Sequence, residues 1–241
     1  MHKNKHLILF FFLFFRASLP LFAETGLQTS LAVDLLADFK LNKESKSSDG
    51  FFTREAELSL YGPIDHLFDG VLTMSAHREH GVQMFEVHEA SISSSKLLKG
   101  FSFRAGQFFL GLGRLNRFHR HDWPFTEAPI VQKKYFDSEG VSDSGLEASY
   151  LMPLDFYLNI TAGVTNGWTY GHAHNEGEKP KTPTHYARVS SFLDGDDVYG
   201  LALGLNYLGR ESSEGEKLEL LGLDATLKAE VFLLLFLEKI F

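Results

Sequence analysis

The sequence has no cysteine. That excludes disulfide bonds, thiolate metal sites and an N-terminal cysteine carrying lipid. Beyond its first two dozen residues it has no apolar run near the 20 residues that a membrane-crossing helix needs. Basic side chains are outnumbered: 23 Lys and Arg stand against 31 Asp and Glu, a formal net charge of −8. Such an excess of acid argues against nucleic acid as a partner. What the chain does have is aromatic residues and glycine, with 23 Phe, 8 Tyr and 21 Gly. Both suit strands joined by tight turns.

The start of the chain has the layout of an export signal. A basic "MHKNKH" precedes "LILFFFLFF" (7–15), and "RASLPLFA" (16–23) offers a cleavage site after Ala23. Residues 1–23 are therefore expected to be a signal peptide. Its removal takes away Lys3, Lys5 and Arg16 and no acid, so the net charge falls from −8 to −11. An exported chain without disulfides holds together by ordinary packing or by closing a sheet inside a membrane.

From Leu27 to Lys40 the odd positions are mostly apolar and the even ones mostly polar. This is the period of a strand. Fourteen such residues exceed the five or six of an ordinary soluble strand and suit one that crosses an outer membrane, for which about nine to eleven suffice. Similar segments lie near 52–61, 70–78, 83–93, 101–111, 144–151, 156–166, 185–192, 198–208 and 217–228. In "VYGLALGLNYL", Tyr199, Leu201, Leu203, Leu205 and Tyr207 form one face, and Gly200, Ala202, Gly204 and Asn206 the other. In 83–93 the register stays open: either Glu86 and His88 or Glu89 and Ser91 face inward. From 112–143 onward long and tight connections alternate, as they do between the two sides of an outer-membrane barrel. A soluble β-sandwich also shows alternating strands.

Residues 101–167 carry a longer pattern. "FSFRAGQFFLGLGRLNRFHRHDWPF" followed by "FDSEGVSDSGLEASYLMPLDFYLNITAGVTNG" resembles a family of Gram-negative outer-membrane porin-like proteins. Some of its members are labelled zinc-regulated or TonB-dependent outer-membrane receptors. "REAELSLYG" (54–62) is similar to an early strand of the family, and the likeness covers about 52–228. It implies an antiparallel transmembrane β-barrel. A receptor of the TonB-dependent kind also has a plug domain and a barrel of about 22 strands, for which this chain has neither the length nor a matching segment. Tyr150 stands where the family has Trp. The last residues, "AEVFLLLFLEKIF", break the alternation, so 229–241 are expected to be an atypical apolar tail, as from a truncated or frame-shifted gene, after a barrel domain over 24–228. About ten strands either close a small barrel or form part of a larger one.

The family likeness implies that 112–143 folds into the barrel. Arg114, Arg117, Arg120, Asp122 and Glu127 are then the expected pore constriction, selecting solutes by charge. Two histidine pairs, His119 with His121 and His172 with His174, have the i, i+2 spacing that points two imidazoles the same way in extended backbone. They are the candidate zinc ligands. No catalytic motif stands out: "HREH" (77–80) lacks the spacing of zinc proteases, and no G-x-S-x-G occurs. The chain is not expected to be an enzyme. The expectation is a porin-like channel in the cell outer membrane. It would contact lipid, pass small hydrophilic solutes or ions, and act as one chain or a homo-oligomer. The alternative is a non-conducting outer-membrane surface protein that binds zinc or another ligand through its histidine-containing loops.

Overall fold

The structure is a computed structural model that describes residues 26–39, 50–79, 82–123, 125–136, 140–167, 180–195 and 199–229. The expected signal peptide, the apolar tail from 230 onward, Pro124, and His172 and His174 lie outside the described residues.

Ten strands form one all-antiparallel sheet in chain order. They are β1 (Gln28–Asp38), β2 (Gly50–Pro63), β3 (Asp69–Glu79), β4 (Val82–Ser94), β5 (Phe101–Phe109), β6 (Ser142–Leu151), β7 (Tyr157–Thr165), β8 (Thr182–Gly195), β9 (Tyr199–Glu211) and β10 (Lys217–Ala229). All ten segments read from the alternation are present. Each strand pairs with the next, and among the described residues β1 and β10 do not pair with each other, so the sheet is open. The alternating directions place the β1–β2, β5–β6 and β7–β8 connections, which include the longest, at one end of the sheet.

The two faces are the reverse of a soluble sheet. One face buries Glu55, Glu57, His77, His88, Glu147, Arg188 and Asn206. The other leaves Phe85 78%, Leu146 66%, Leu221 82% and Leu223 78% exposed. In β9 the faces divide as the sequence suggests: Gly200, Gly204 and Asn206 are buried, while Tyr199 and Leu205 are exposed. The sheet wraps around the segment 110–141 between β5 and β6. That segment holds two 3-10 turns, Leu115–Arg117 and Arg120–Asp122, and a short helix, α1 (Ile130–Phe136). It reaches both ends of the strand order. Arg54 of β2 donates to the Thr126 carbonyl, and the Gly113 amide donates to Asn206 Oδ1 of β9 at 2.8 Å.

The ends of the segment are fastened in two ways. Leu110, Leu112 and Val141 pack with Tyr186 and Leu208 in a small apolar cluster. Asn116, 2% exposed, then ties entry to exit. Its amide nitrogen donates to the carbonyls of Leu110 (2.8 Å) and Val141 (3.1 Å), and its Oδ1 accepts from the Val141 amide (2.6 Å). A buried backbone group left unmade costs about 1–3 kcal/mol. Asn116→Ala is therefore expected to loosen the segment, read as faster tryptic cleavage after the exposed Arg117 with the strand content unchanged by circular dichroism. Cleavage at the parent rate would mean that the apolar cluster alone holds it.

Beneath the segment, Glu147 of β6 gathers three donors: Arg104 (2.8 Å), the Gly111 amide (3.1 Å) and the Tyr186 hydroxyl (2.6 Å). Gly163 makes room for this tyrosine. A Cβ there would lie 2.4 Å from the Tyr186 ring.

Two irregularities bear on the site. Opposite Asp34 and Leu35 of β1, the ladder uses Glu55 and Thr53 and skips Arg54. Opposite Thr73 and Met74 of β3, it uses Glu89 and Val87 and skips His88. Each is a β-bulge, which re-aims a side chain by inserting one residue. The bulge at His88 resolves the open register of β4, because neither alternative stands alone. Glu86 and His88 point inward before the slip; Ser91 is buried and Glu89 half-buried after it.

Candidate functional site: a histidine and carboxylate cluster

The polar face of β2, β3 and β4 meets the segment 110–141 at His119 and His121. Glu55 and Glu57 are brought inward by strand alternation, two residues apart on β2. His77 comes from β3, and Glu86, His88 and Glu89 come from β4. The 3-10 turn Arg120–Asp122 and the extended residue before it lower His119 and His121 onto these strands.

Glu57, 4% exposed, is the centre. Its Oε2 lies 2.7 Å from His119 Nδ1 and 3.6 Å from His88 Nδ1, and its Oε1 lies 3.2 Å from His121 Nε2. The His119 contact is an ion-pair approach off hydrogen-bond alignment. His119 Nε2 faces Glu89 Oε2 at 3.1 Å. His88 Nδ1 also approaches Glu55 Oε1 at 3.7 Å, and its Nε2 faces Glu86 Oε2 at 3.8 Å. His77 Nε2 lies 3.6 Å from Glu86 Oε1. Glu55 is held by the Ser75 hydroxyl at 2.7 Å. The imidazoles of His88, His119 and His121 form a stacked row with centroid spacings of 5.9 and 5.7 Å, and Phe109 closes against His119 edge-on at 5.0 Å.

Burial pulls the pKa of His119 down, while the close carboxylates of Glu57 and Glu89 raise it, with a net rise to about 10. With protons alone available, this imidazole is cationic at neutral pH. Two sets of ligand atoms, from Glu57, His88 and His119 and from His77, Glu86 and His88, each lie within 4.8 Å of one another. These buried groups could hold a metal ion.

Of the sequence-derived residues, His119 and His121 are brought together, on one carboxylate. Their expected companions His172 and His174 lie outside the described residues. Arg114, Arg117, Asp122 and Glu127 are exposed on the segment 110–141, and Arg120 is half-buried. Arg114 lies over the Phe118 ring at 5.7 Å, and Glu127 pairs with Lys133 at 2.5 Å. Sequence reading gave no role to Glu55 and Glu57, although "REAEL" places both on one strand face. His88 is inward in one of the two registers left open for 83–93, and the bulge, which breaks the alternation, brings Glu89 to the same side.

An uncharacterized protein of Aquifex aeolicus is similar to this chain, 33% identical over 173 residues, which cover 68% of this chain and 36% of that protein. The chain thus spans about a third of the length of the relative it matches. No family model matches the chain. No solved structure matches it.

Proposed function

We propose that this chain forms a porin-like transmembrane β-barrel, or part of one, in the outer membrane, and that its polar interior passes small hydrophilic solutes or ions. The observation that carries this reading is the reversal of faces: exposed Leu, Val and Phe on one side, buried Glu, His, Arg and Asn on the other. Water offers no reason to expose one row of leucines while burying charge, whereas lipid outside a polar lumen does. The strands, of 9 to 14 residues, are long enough to cross. In this reading the segment 110–141 narrows the lumen, and Arg114, Arg117, Arg120, Asp122 and Glu127 set the field that solutes meet. Lipid and small solutes are the partners, with a single chain or a homo-oligomer as the conducting unit.

The test is conductance in a planar bilayer, using folded chain of verified mass. Discrete steps, with ion selectivity shifted by Arg114→Glu and Arg117→Glu, are expected. Silence from protein that has inserted would end the channel reading.

A second reading is favoured by one observation, the convergence of His119 and His121 on Glu57. In it the chain is a non-conducting outer-membrane protein that holds zinc through its histidine-bearing loop.

A further inference from the structure

The second reading leaves the ion's ligands and its effect unspecified, and the cluster supplies both. We propose that Glu57, His88 and His119 bind one divalent transition-metal ion of the zinc type, and that this ion fastens the segment 110–141 to strands β2 and β4. The inference rests on the zinc part of that reading and is independent of whether the chain conducts.

The donor set is the first argument. Carboxylate oxygen and imidazole nitrogen are zinc ligands, with bonds of about 2.0–2.2 Å, which put ligand atoms of a tetrahedral site about 3.3 Å apart. Glu57 Oε2 lies 2.7 Å from His119 Nδ1 and 3.6 Å from His88 Nδ1, on either side of that separation. Glu55 Oε1, 3.7 Å from His88 Nδ1, stands next in line as a fourth ligand.

The far nitrogens give an independent argument. A metal-bound histidine generally gives its other ring N–H to a carboxylate, which fixes the tautomer and orients the ring. His119 is arranged in this way, and His88 has a carboxylate near its far nitrogen, though beyond hydrogen-bond distance. His119 Nε2 faces Glu89 at 3.1 Å, and His88 Nε2 faces Glu86 at 3.8 Å. An Nε2–H given by His119 to Glu89 leaves its Nδ1 lone pair turned toward Glu57 Oε2, the atom that His88 Nδ1 also approaches.

Charge is the third argument. Glu55, Glu57, Glu86 and Glu89 bring four carboxylates into one largely buried space, while Arg54 is engaged by Asp34 and the Thr126 carbonyl. A dication offsets two of these charges at once. Because His119 belongs to the inserted segment while Glu57 and His88 belong to strands, the ion crosses the join between them.

The test uses the full chain folded in detergent micelles and stripped with a chelator. It carries His172→Ala and His174→Ala so that only the internal cluster is read. Zinc chloride is titrated by calorimetry, with folding checked by circular dichroism. One zinc per chain is expected. Glu89→Gln, which keeps the shape of the side chain, is expected to weaken binding about 10- to 100-fold, and His88→Ala or His119→Ala to weaken it further. Zinc is also expected to slow tryptic cleavage after Arg117 in the parent and not in His119→Ala. No zinc uptake by folded protein overturns the site and the zinc reading together. Uptake of unchanged affinity in Glu89→Gln and His119→Ala spares the zinc reading and overturns the ligand set. Ligand-dependent uptake with cleavage after Arg117 unaltered overturns the fastening.

Discussion

Leu146→Arg should cost about 2–4 kcal/mol of folding stability in a lipid bilayer. Leu146 sits mid-strand in β6, paired with Ala105 and Val164, and its side chain is 66% exposed on the apolar face. At an exposed position in water, the same change is usually worth no more than about 0.5 kcal/mol. The difference arises because lipid cannot solvate a guanidinium at mid-depth and water can. The measurement is a reversible urea titration of the protein folded into lipid vesicles, comparing parent and variant midpoints at equal slope. A shift within about 0.5 kcal/mol would place this face against water and remove the basis for a membrane protein.

The second large effect belongs to Glu147. Glu147→Ala is expected to cost about 3–5 kcal/mol, the usual consequence of removing one partner from a buried ion pair. Three donors lose their acceptor together: the Arg104 guanidinium, the Gly111 amide and the Tyr186 hydroxyl. Among the described residues Arg104 then keeps its bond to the Phe109 carbonyl at 3.1 Å and its place over the Phe108 ring. The segment 110–141 begins here, so the loss should also speed its proteolysis. Glu147→Gln retains an acceptor for one or two of the donors and should fall between parent and alanine in the same urea titration. Equal stability of all three proteins would show that solvent reaches this group and that the polar face is not closed over by the segment.

The strands were legible in the sequence because each had to show a different chemistry on its two sides. Period two is therefore readable in them, as in Tyr199 to Tyr207 against Gly200 to Asn206, and it slips at the bulge in β4. The long connection was legible as well, from its length and its polar crowding. Its inward course was implied by the family likeness, but the contacts that dock it were not readable. Asn116 reads as an ordinary loop residue, and its bonds to Leu110 and Val141 exist only once the two ends of the segment meet. The pairing of His119 with His121 could be seen from their spacing. Their carboxylate partner, 62 to 64 residues earlier in the chain, could not, because such a contact is created by strand order and leaves no local mark.

The bulge in β4 leads to a further point about what the chain can change at little cost. Removing the single residue His88 from the chain would join Val87 directly to Glu89, and these are the residues already opposite Met74 and Thr73. Both halves of the strand would keep their present phase, with Phe85 and Ile92 outward and Glu86 and Ser91 inward. A one-residue deletion is ordinarily ruinous in a sheet, because it turns half a strand inside out. Here it would restore a regular ladder and erase an imidazole and the carbonyl that accepts from the Ser142 hydroxyl at 3.0 Å. Strand pairing therefore does not require this residue, and what it adds to the regular ladder is an imidazole beside Glu57.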